Sequence, residues 1–347
     1  MIDALDENHS NTFDEKPPNA SGLRMQDETP VKKPMLDERN WKILLRAIKQ
    51  QRCTPFLGSE VAFGDVPVKS KIAREWVIEY GYPLEDSKDL ARVAQFIATE
   101  YDPMFPKNEI IEKLNEAPLP DFANPDEPHR ILADLPLPVY ITTNYDDFMT
   151  QALRSKYAGD TKIPHKDPRR ELCRWNEFIS AGPSIFDSDF EPNVANPVVF
   201  HLYGHTGAPE SLILTEDDYL DFLASVSRDQ TLIPARIQKA LTMASLLFLG
   251  YRFTDLDFRV LMRGLVSYLE RNYYAKSKAH VSIQVVAVGD AISTSQRESI
   301  EKYLSKYCGR LDIEVGMGTC REFVSELRRR WEDFSRVPIT EGEKNNE

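Results

Sequence analysis

Residues 135–153, LPLPVYITTNYDDFMTQAL, read as a short apolar strand, then Thr143-x-x-Asp146, then an amphipathic helix. The same order recurs twice. Residues 209–226, PESLILTEDDYLDFLASV, carry it around Thr215-x-x-Asp218, and residues 244–265, ASLLFLGYRFTDLDFRVLMRGL, around Thr254-x-x-Asp257. In each, the threonine can accept from the free N–H groups of the first helical turn, and the acid three residues on favours that helix end. Strands that alternate with helices predict an α/β fold: a mainly parallel sheet with helices on both faces. Runs as apolar as SLLFLG suit a sheet buried on both sides.

Working outward, residues 53–64, CTPFLGSEVAFG, are a strand entering a small-residue turn. Residues 281–288 and 311–317 are two more strand-like runs. Ahead of the first strand, Trp41, Leu44, Leu45 and Ile48 fall at helical spacing; Ile72, Trp76, Val77 and Tyr80 form one stripe in a helical region over 68–116. Pro118, Pro120, Pro125 and Pro128 mark a loop. A helical insertion is therefore expected at about 68–135, and a last helix at 319–334. Residues 1–37 are polar, acidic and proline-spotted, so a disordered tail is expected there, with a second flexible tail at 336–347 and the folded domain over 38–335.

Hydrophobic residues make up 41% of the 347 and charged residues 28%, which excludes disorder of the whole chain. The net charge of −12 argues against direct nucleic-acid binding and against an anionic membrane surface. No apolar run approaches the roughly 18 residues of a membrane span. The N-terminus does not read as a secretory signal, and Cys53, Cys173, Cys308 and Cys320 form no C-x-x-C pair. A reduced, cytoplasmic setting is the expectation, with no structural zinc ribbon.

In parallel α/β sheets ligands sit at the carboxyl ends of strands. Gly58-Ser59-Glu60 reads either as a phosphate-cradling turn or as an ordinary strand-to-helix turn. Asn144 and Asp146 can position a water or bind sugar hydroxyls, or simply cap a helix. In FHLYGH, His201, Tyr203 and His205 alternate onto one face if the strand persists. Histidine is the usual base near neutral pH; the two histidines also suggest a metal, but no third ligand with sensible spacing is visible, so no metal is expected. Gly250-Tyr251-Arg252 offers close backbone approach and a cation for phosphate or carboxylate. No G-x-S-x-G elbow, Walker loop or H-E-x-x-H motif is present.

In order, the segments at 53–64, 89–103, 135–153, 198–223 and 246–265 resemble the sirtuin-like domain of prokaryotic proteins, many of them NAD-hydrolysing effectors of anti-phage defence. The resemblance spans about 40–335. It implies a Rossmann-like domain that takes NAD as substrate and cleaves its nicotinamide–ribose bond, giving nicotinamide and ADP-ribose. Gly58, with Ser59 beside it, falls at the family's phosphate loop. Asn144 and Asp146 match its TxN-x-D segment, the Asn positioning water or the nicotinamide ribose. Gly250, with Tyr251, matches the late loop near the adenosine ribose. Two departures stand out. Gly58-Ser59-Glu60 replaces the usual Gly-Ala-Gly, and Tyr203-Gly204 replaces the usual catalytic His-Gly, leaving His205 or His201 as the substitute base. A tyrosine, with a pKa of about 10, is a poor base near pH 7. The four-cysteine zinc module of protein-deacylating sirtuins has no counterpart here, so NAD hydrolysis is expected over acyl-lysine removal. Restraint of such an effector implies a homo-oligomer, or a sensor or ATPase partner. The alternatives are an inactive module that binds NAD or ADP-ribose, and a scaffold that binds no nucleotide.

Overall fold

Short apolar runs build the centre of the molecule. In the computed structural model the described residues are 34–61, 69–85, 88–155, 166–252, 256–271, 282–286, 293–309 and 313–336. The chain divides into Met1–Pro34 and Met35–Glu347, and of the first unit only Pro34 is among the described residues. Most of the expected N-terminal tail and residues 337–347 of the C-terminal one thus lie outside the described residues. Met35–Asp37, assigned to the tail by composition, belong to the folded unit: Leu36 is buried and the Asp37 carboxylate caps the first helix through Asn40 N.

That helix, α1 (Glu38–Lys49), leads into β1 (Cys53–Leu57). Four helices follow: α2 (Lys69–Tyr80), α3 (Leu90–Glu100), α4 (Phe105–Glu116) and α5 (Pro128–Ala133). Next come β2 (Val139–Thr142), α6 (Phe148–Arg154), β3 (Arg169–Leu172), the short α7 (Glu177–Ser180) and β4 (Val198–His201). The chain continues through α8 (Glu216–Arg228), α9 (Ala235–Met243), β5 (Ser245–Leu249), α10 (Leu256–Arg271), β6 (Ser282–Val286), α11 (Thr294–Gly309), β7 (Ile313–Met317) and α12 (Cys320–Arg336).

The strands form one Rossmann-like sheet in the order β3-β4-β2-β1-β5-β6-β7, and the described pairings are all parallel. The side chains of β1, β2, β4 and β5 alternate between two apolar layers. Phe56, Ile141, Phe200 and Phe248 face a core built with α2, α3, α8, α9 and the start of α10. Leu57, Tyr140, Val199, Leu247 and Leu249 face a second core built with α1, α5, α6 and α12. Each fully buried Leu or Phe contributes about 1.5–3 kcal/mol, which is why the central strands are apolar on both sides. α12 is pinned to α1 by Trp41 stacked on Phe323 at 5.1 Å and by Arg330, which lies over Trp41 and pairs with Glu38. All four cysteines are buried thiols. No helix among the described residues is long and apolar enough to cross a membrane.

The structure corrects three sequence expectations and adds one strand that the sequence reading missed. Leu212–Leu214 are buried but form no strand; they follow a single 3-10 turn, and their backbone meets the fold through Ile213 N to Tyr203 O at 3.1 Å. β3 was not anticipated, because Arg169 and Arg170 are exposed and an edge strand needs no apolar period. The Thr215–Asp218 capping box is present, whereas Thr143 and Asp146 form none. There Asp147 is the N-cap, Asp146 accepts from Phe148 N at 3.0 Å, and Thr143 turns toward β1 and Tyr251. Thr254 of the third box lies outside the described residues. Finally, β4 ends at His201, so the expected alternation through His205 does not hold.

Candidate active site

β1 lies between β2 and β5, so the chain leaves it in opposite directions on its two sides. That is the switch point where a parallel sheet opens a crevice at its carboxyl edge. Gly58 follows β1 and Gly250 follows β5. Gly58 N donates to Leu249 O at 2.8 Å, and Glu60 N to Gly250 O at 3.0 Å. A Cβ on Gly58 would stand 2.6 Å from Gly250 O and 2.8 Å from the Tyr251 ring. One on Gly250, whose φ is +75°, would stand 2.5 Å from Val61 N. Both glycines are thus demanded by the contact between the two loops. Ser59 is half-buried beside them. The Glu60 carboxylate is paired with Arg252. Tyr251 is 3% exposed and packs on Phe258, with its hydroxyl oxygen accepting from Thr143 Oγ1 at 3.1 Å.

Asn144 stands just past β2. Its N–H donates to Thr142 Oγ1 at 2.9 Å, and its Nδ2 to Gly58 O at 3.0 Å. Its Oδ1 is buried without a partner among the described residues. A buried amide oxygen without a donor is costly to leave unmet, and it marks where a hydroxyl or water from a ligand would be received. Asp146 is half-buried, and desolvation pushes its carboxyl above the usual range, with His129 opposing.

The three β4-end residues separate. Tyr203 is fully buried, its ring edge-on to Tyr219 and Phe222 at 5.4 and 5.3 Å, in the apolar core. Gly204, at φ +91°, turns the chain back, since a Cβ there would meet Ser211 O at 2.3 Å. The turn brings His205 edge-on to His201, with ring centres 4.8 Å apart. His201 is 1% exposed and its Nδ1 lies 3.3 Å from Asn144 O. Burial pushes its pKa down to about 3, so the ring is neutral and Nδ1–H donates to that carbonyl. His205 Nδ1 accepts from Gly207 N at 2.8 Å, and its Nε2 is 3.5 Å from Asp147 Oδ1. Arg170 Nη1 lies 3.0 Å from the same ring, and Arg170 Nε lies 3.5 Å from Asp147. Burial alone would raise the Asp147 carboxyl, but His205 and Arg170 beside it hold it below the usual range.

Sequence reasoning brought Gly58, Asn144 and Gly250 to one edge but missed Asp147 and Arg170. Asp147 is signalled only by the doubled acid of NYDD, and Arg170 sits on the unanticipated edge strand. A second feature was also missed: a cavity of about 190 Å³ flanked by Lys69, Lys88 and Tyr145. The Lys69 ammonium lies 5.7 Å over the Tyr145 ring, and the Tyr145 hydroxyl donates to Ile213 O at 2.6 Å.

Residues 138–308 match the SIR2-like domain family. The chain is 25% identical over 203 residues to an NAD(+) hydrolase ThsA of Acinetobacter baumannii (strain 532279), covering 58% of this chain and 36% of that protein. It is 25% identical over 241 residues to the NAD(+) hydrolase ThsA of Cytobacillus dafuensis, covering 67% and 42%. With the one of Enterococcus faecium it shares 27% over 129 residues, covering 37% and 22%. The chain thus spans less than half the length of these relatives. The Rossmann-like chain is thus similar over residues 138–308 to the SIR2-like domain family, and distantly similar to the ThsA NAD(+) hydrolases.

Proposed function

We propose that this chain hydrolyses NAD to nicotinamide and ADP-ribose. The observation that carries the reading is Asn144: a buried amide at the switch point, held by Gly58, with its Oδ1 left open. The relatives named NAD(+) hydrolase support the substrate. In the reaction the bond from the ribose C1′ to the pyridinium nitrogen breaks and its electron pair stays on nicotinamide. Water oxygen bonds to C1′ and one proton is released. Asn144 Oδ1 accepts from the ribose hydroxyl or the water and so fixes the attack geometry. His201, neutral and bonded to the Asn144 carbonyl, braces that turn. His205, with Asp147 beside it, is the residue left to take the proton, while Tyr203 serves the core. Gly58, Ser59, Gly250 and Tyr251 form the floor of the crevice, and Asp146 borders it.

This reading extends to a cytoplasmic effector of anti-phage defence, restrained as a homo-oligomer or by a sensor or ATPase partner; the family resemblance is its support. One observation favours a second reading, a module that binds NAD or ADP-ribose without turnover: Tyr203, which the resemblance sets at the family's histidine position, is buried in the core. The test is nicotinamide release from NAD by the purified chain beside Asn144→Ala and His205→Ala. Turnover lost in Asn144→Ala supports the hydrolase. Saturable ADP-ribose binding with no turnover, alone or in extract of the source cell, supports the binding module.

A further inference from the structure

Asp147, from the turn after β2, meets His201 and His205 at the end of β4. One ligand atom from each lies within 4.8 Å of the other two. The 3.5 Å between Asp147 Oδ1 and His205 Nε2 is close to the tetrahedral edge of about 3.4 Å between donors bound about 2.0–2.1 Å from zinc. His201 adds an independent observation. Its ring is 1% exposed, Nδ1–H is spent on the Asn144 carbonyl, and Nε2, which carries the lone pair, has no partner among the described residues. An imidazole with one nitrogen tied to a backbone carbonyl and the other free is the usual posture of a metal-ligating histidine. Asp147 Oδ1 is likewise buried without a good hydrogen bond.

We propose that Asp147, His201 and His205 form a binding site for a divalent transition-metal cation of the zinc class, for which Arg170 is the competing occupant. Two imidazoles and one carboxylate suit zinc and its neighbours and leave a fourth position for water. Arg170 now supplies the positive charge: its guanidinium touches both the His205 ring and Asp147. Its side chain is 38% exposed, so it can swing outward. His205 then moves its ring proton from Nε2 to Nδ1, with no net proton change, and gives up the Gly207 contact. Cation binding does not depend on the hydrolase reading. One consequence rests on it: a cation at His205 removes the proton acceptor, so zinc inhibits nicotinamide release.

The test uses the full chain without a histidine tag. Zinc binding is measured by equilibrium dialysis with elemental analysis, and the geometry by the absorption spectrum of the cobalt(II) form. One cation per chain is expected, with visible cobalt bands and no thiolate charge-transfer band. Asp147→Asn and His201→Gln should each weaken binding at least about a hundredfold, since losing a ligand exceeds the effect of losing its support. Arg170→Gln should tighten binding severalfold. Circular dichroism checks that each variant is folded, and the cobalt spectrum of the unaltered chain stands if one is not. No stoichiometric binding, full affinity in both ligand variants, or a thiolate band placing the metal on a cysteine overturns the site; unchanged or weaker binding in Arg170→Gln overturns the competition.

Discussion

Asn144 and Gly58 are joined by one hydrogen bond, Nδ2 donating to the Gly58 carbonyl at 3.0 Å across the ends of β2 and β1. His201 holds the other side of the same residue through the Asn144 carbonyl. The ends of β1, β2 and β4 are therefore locked through Asn144, and its Oδ1 is left without a partner among the described residues.

That orientation separates two substitutions. Asn144→Ala loses one hydrogen bond, about 1 kcal/mol of stability. Asn144→Asp turns a buried carboxylate oxygen toward the Gly58 carbonyl and should be the more destabilising of the two. Urea unfolding of both decides it; if the Asp variant were the more stable, the assigned amide orientation would be wrong.

The two loop glycines differ in what an added methyl meets. Gly58→Ala places a Cβ against Gly250 O and the Tyr251 ring. Overpacking of this kind costs about 1–3 kcal/mol. Gly250→Ala adds a left-handed backbone, φ +75°, and a backbone nitrogen at 2.5 Å that cannot yield as a side chain can. It should lose about 1–2 kcal/mol more. Equal melting temperatures for the two variants would contradict this close loop contact.

Tyr203, which the sequence resemblance sets where a histidine is expected, is fully buried. Its ring fills the core against Tyr219 and Phe222. Tyr203→Ala should lose about 3–5 kcal/mol. Tyr203→Phe keeps the ring and should keep nicotinamide release within a few-fold of the parent. A hundredfold loss in the Phe variant, with melting unchanged, would make the hydroxyl a catalytic group.

The sheet was readable in the sequence where burial on both faces writes a continuous apolar run. β1, β2, β4 and β5 are such runs, fully buried along their length. β3 was not readable, because its exposed arginines carry no apolar period. Leu212–Leu214 misled for the converse reason: buried apolar residues need not belong to a ladder. The site divides the same way. Asn144 and the glycines sit at strand ends that the strand pattern locates. Asp147 meets His205 only because β2 pairs with β4, and Arg170 arrives on β3 beside β4. Long-range register of this kind leaves no local mark.

The helices between β1 and β2 are tied to the sheet domain by a buried ion pair. Lys107 Nζ on α4 lies 2.8 Å from Asp218 Oδ1 on α8, with side chains 7% and 13% exposed. Asp218 Oδ2 also accepts from Leu214 N and Thr215 N, both at 3.0 Å. Removing one partner strands the other. Asp218→Ala leaves a buried ammonium and two unmet N–H groups, so a loss of about 3–5 kcal/mol is expected. Lys107→Met leaves the carboxylate with its two donors and should be milder. The reverse order in denaturant titrations would mean that the pair, and not the cap, sets the stability here.

Lys166 gives a pH dependence of definite sign. It is 4% exposed, and its Nζ donates to Ala133 O at 2.6 Å and Leu135 O at 2.7 Å at the end of α5. Burial pushes its pKa down to about 8, with Asp134 opposing. Below pH 8 both folded and unfolded chains hold the proton, and the fold bears the cost of a buried charge. Between about 8 and 10.5 the unfolded chain still holds a proton that the folded one has released, so this group's contribution rises with pH. The stability of the wild type relative to Lys166→Met should therefore be flat from pH 6 to about 7.5 and climb above 8, by at most about 3 kcal/mol. A difference that falls over that range would show that the two carbonyl bonds outweigh burial and hold the lysine charged.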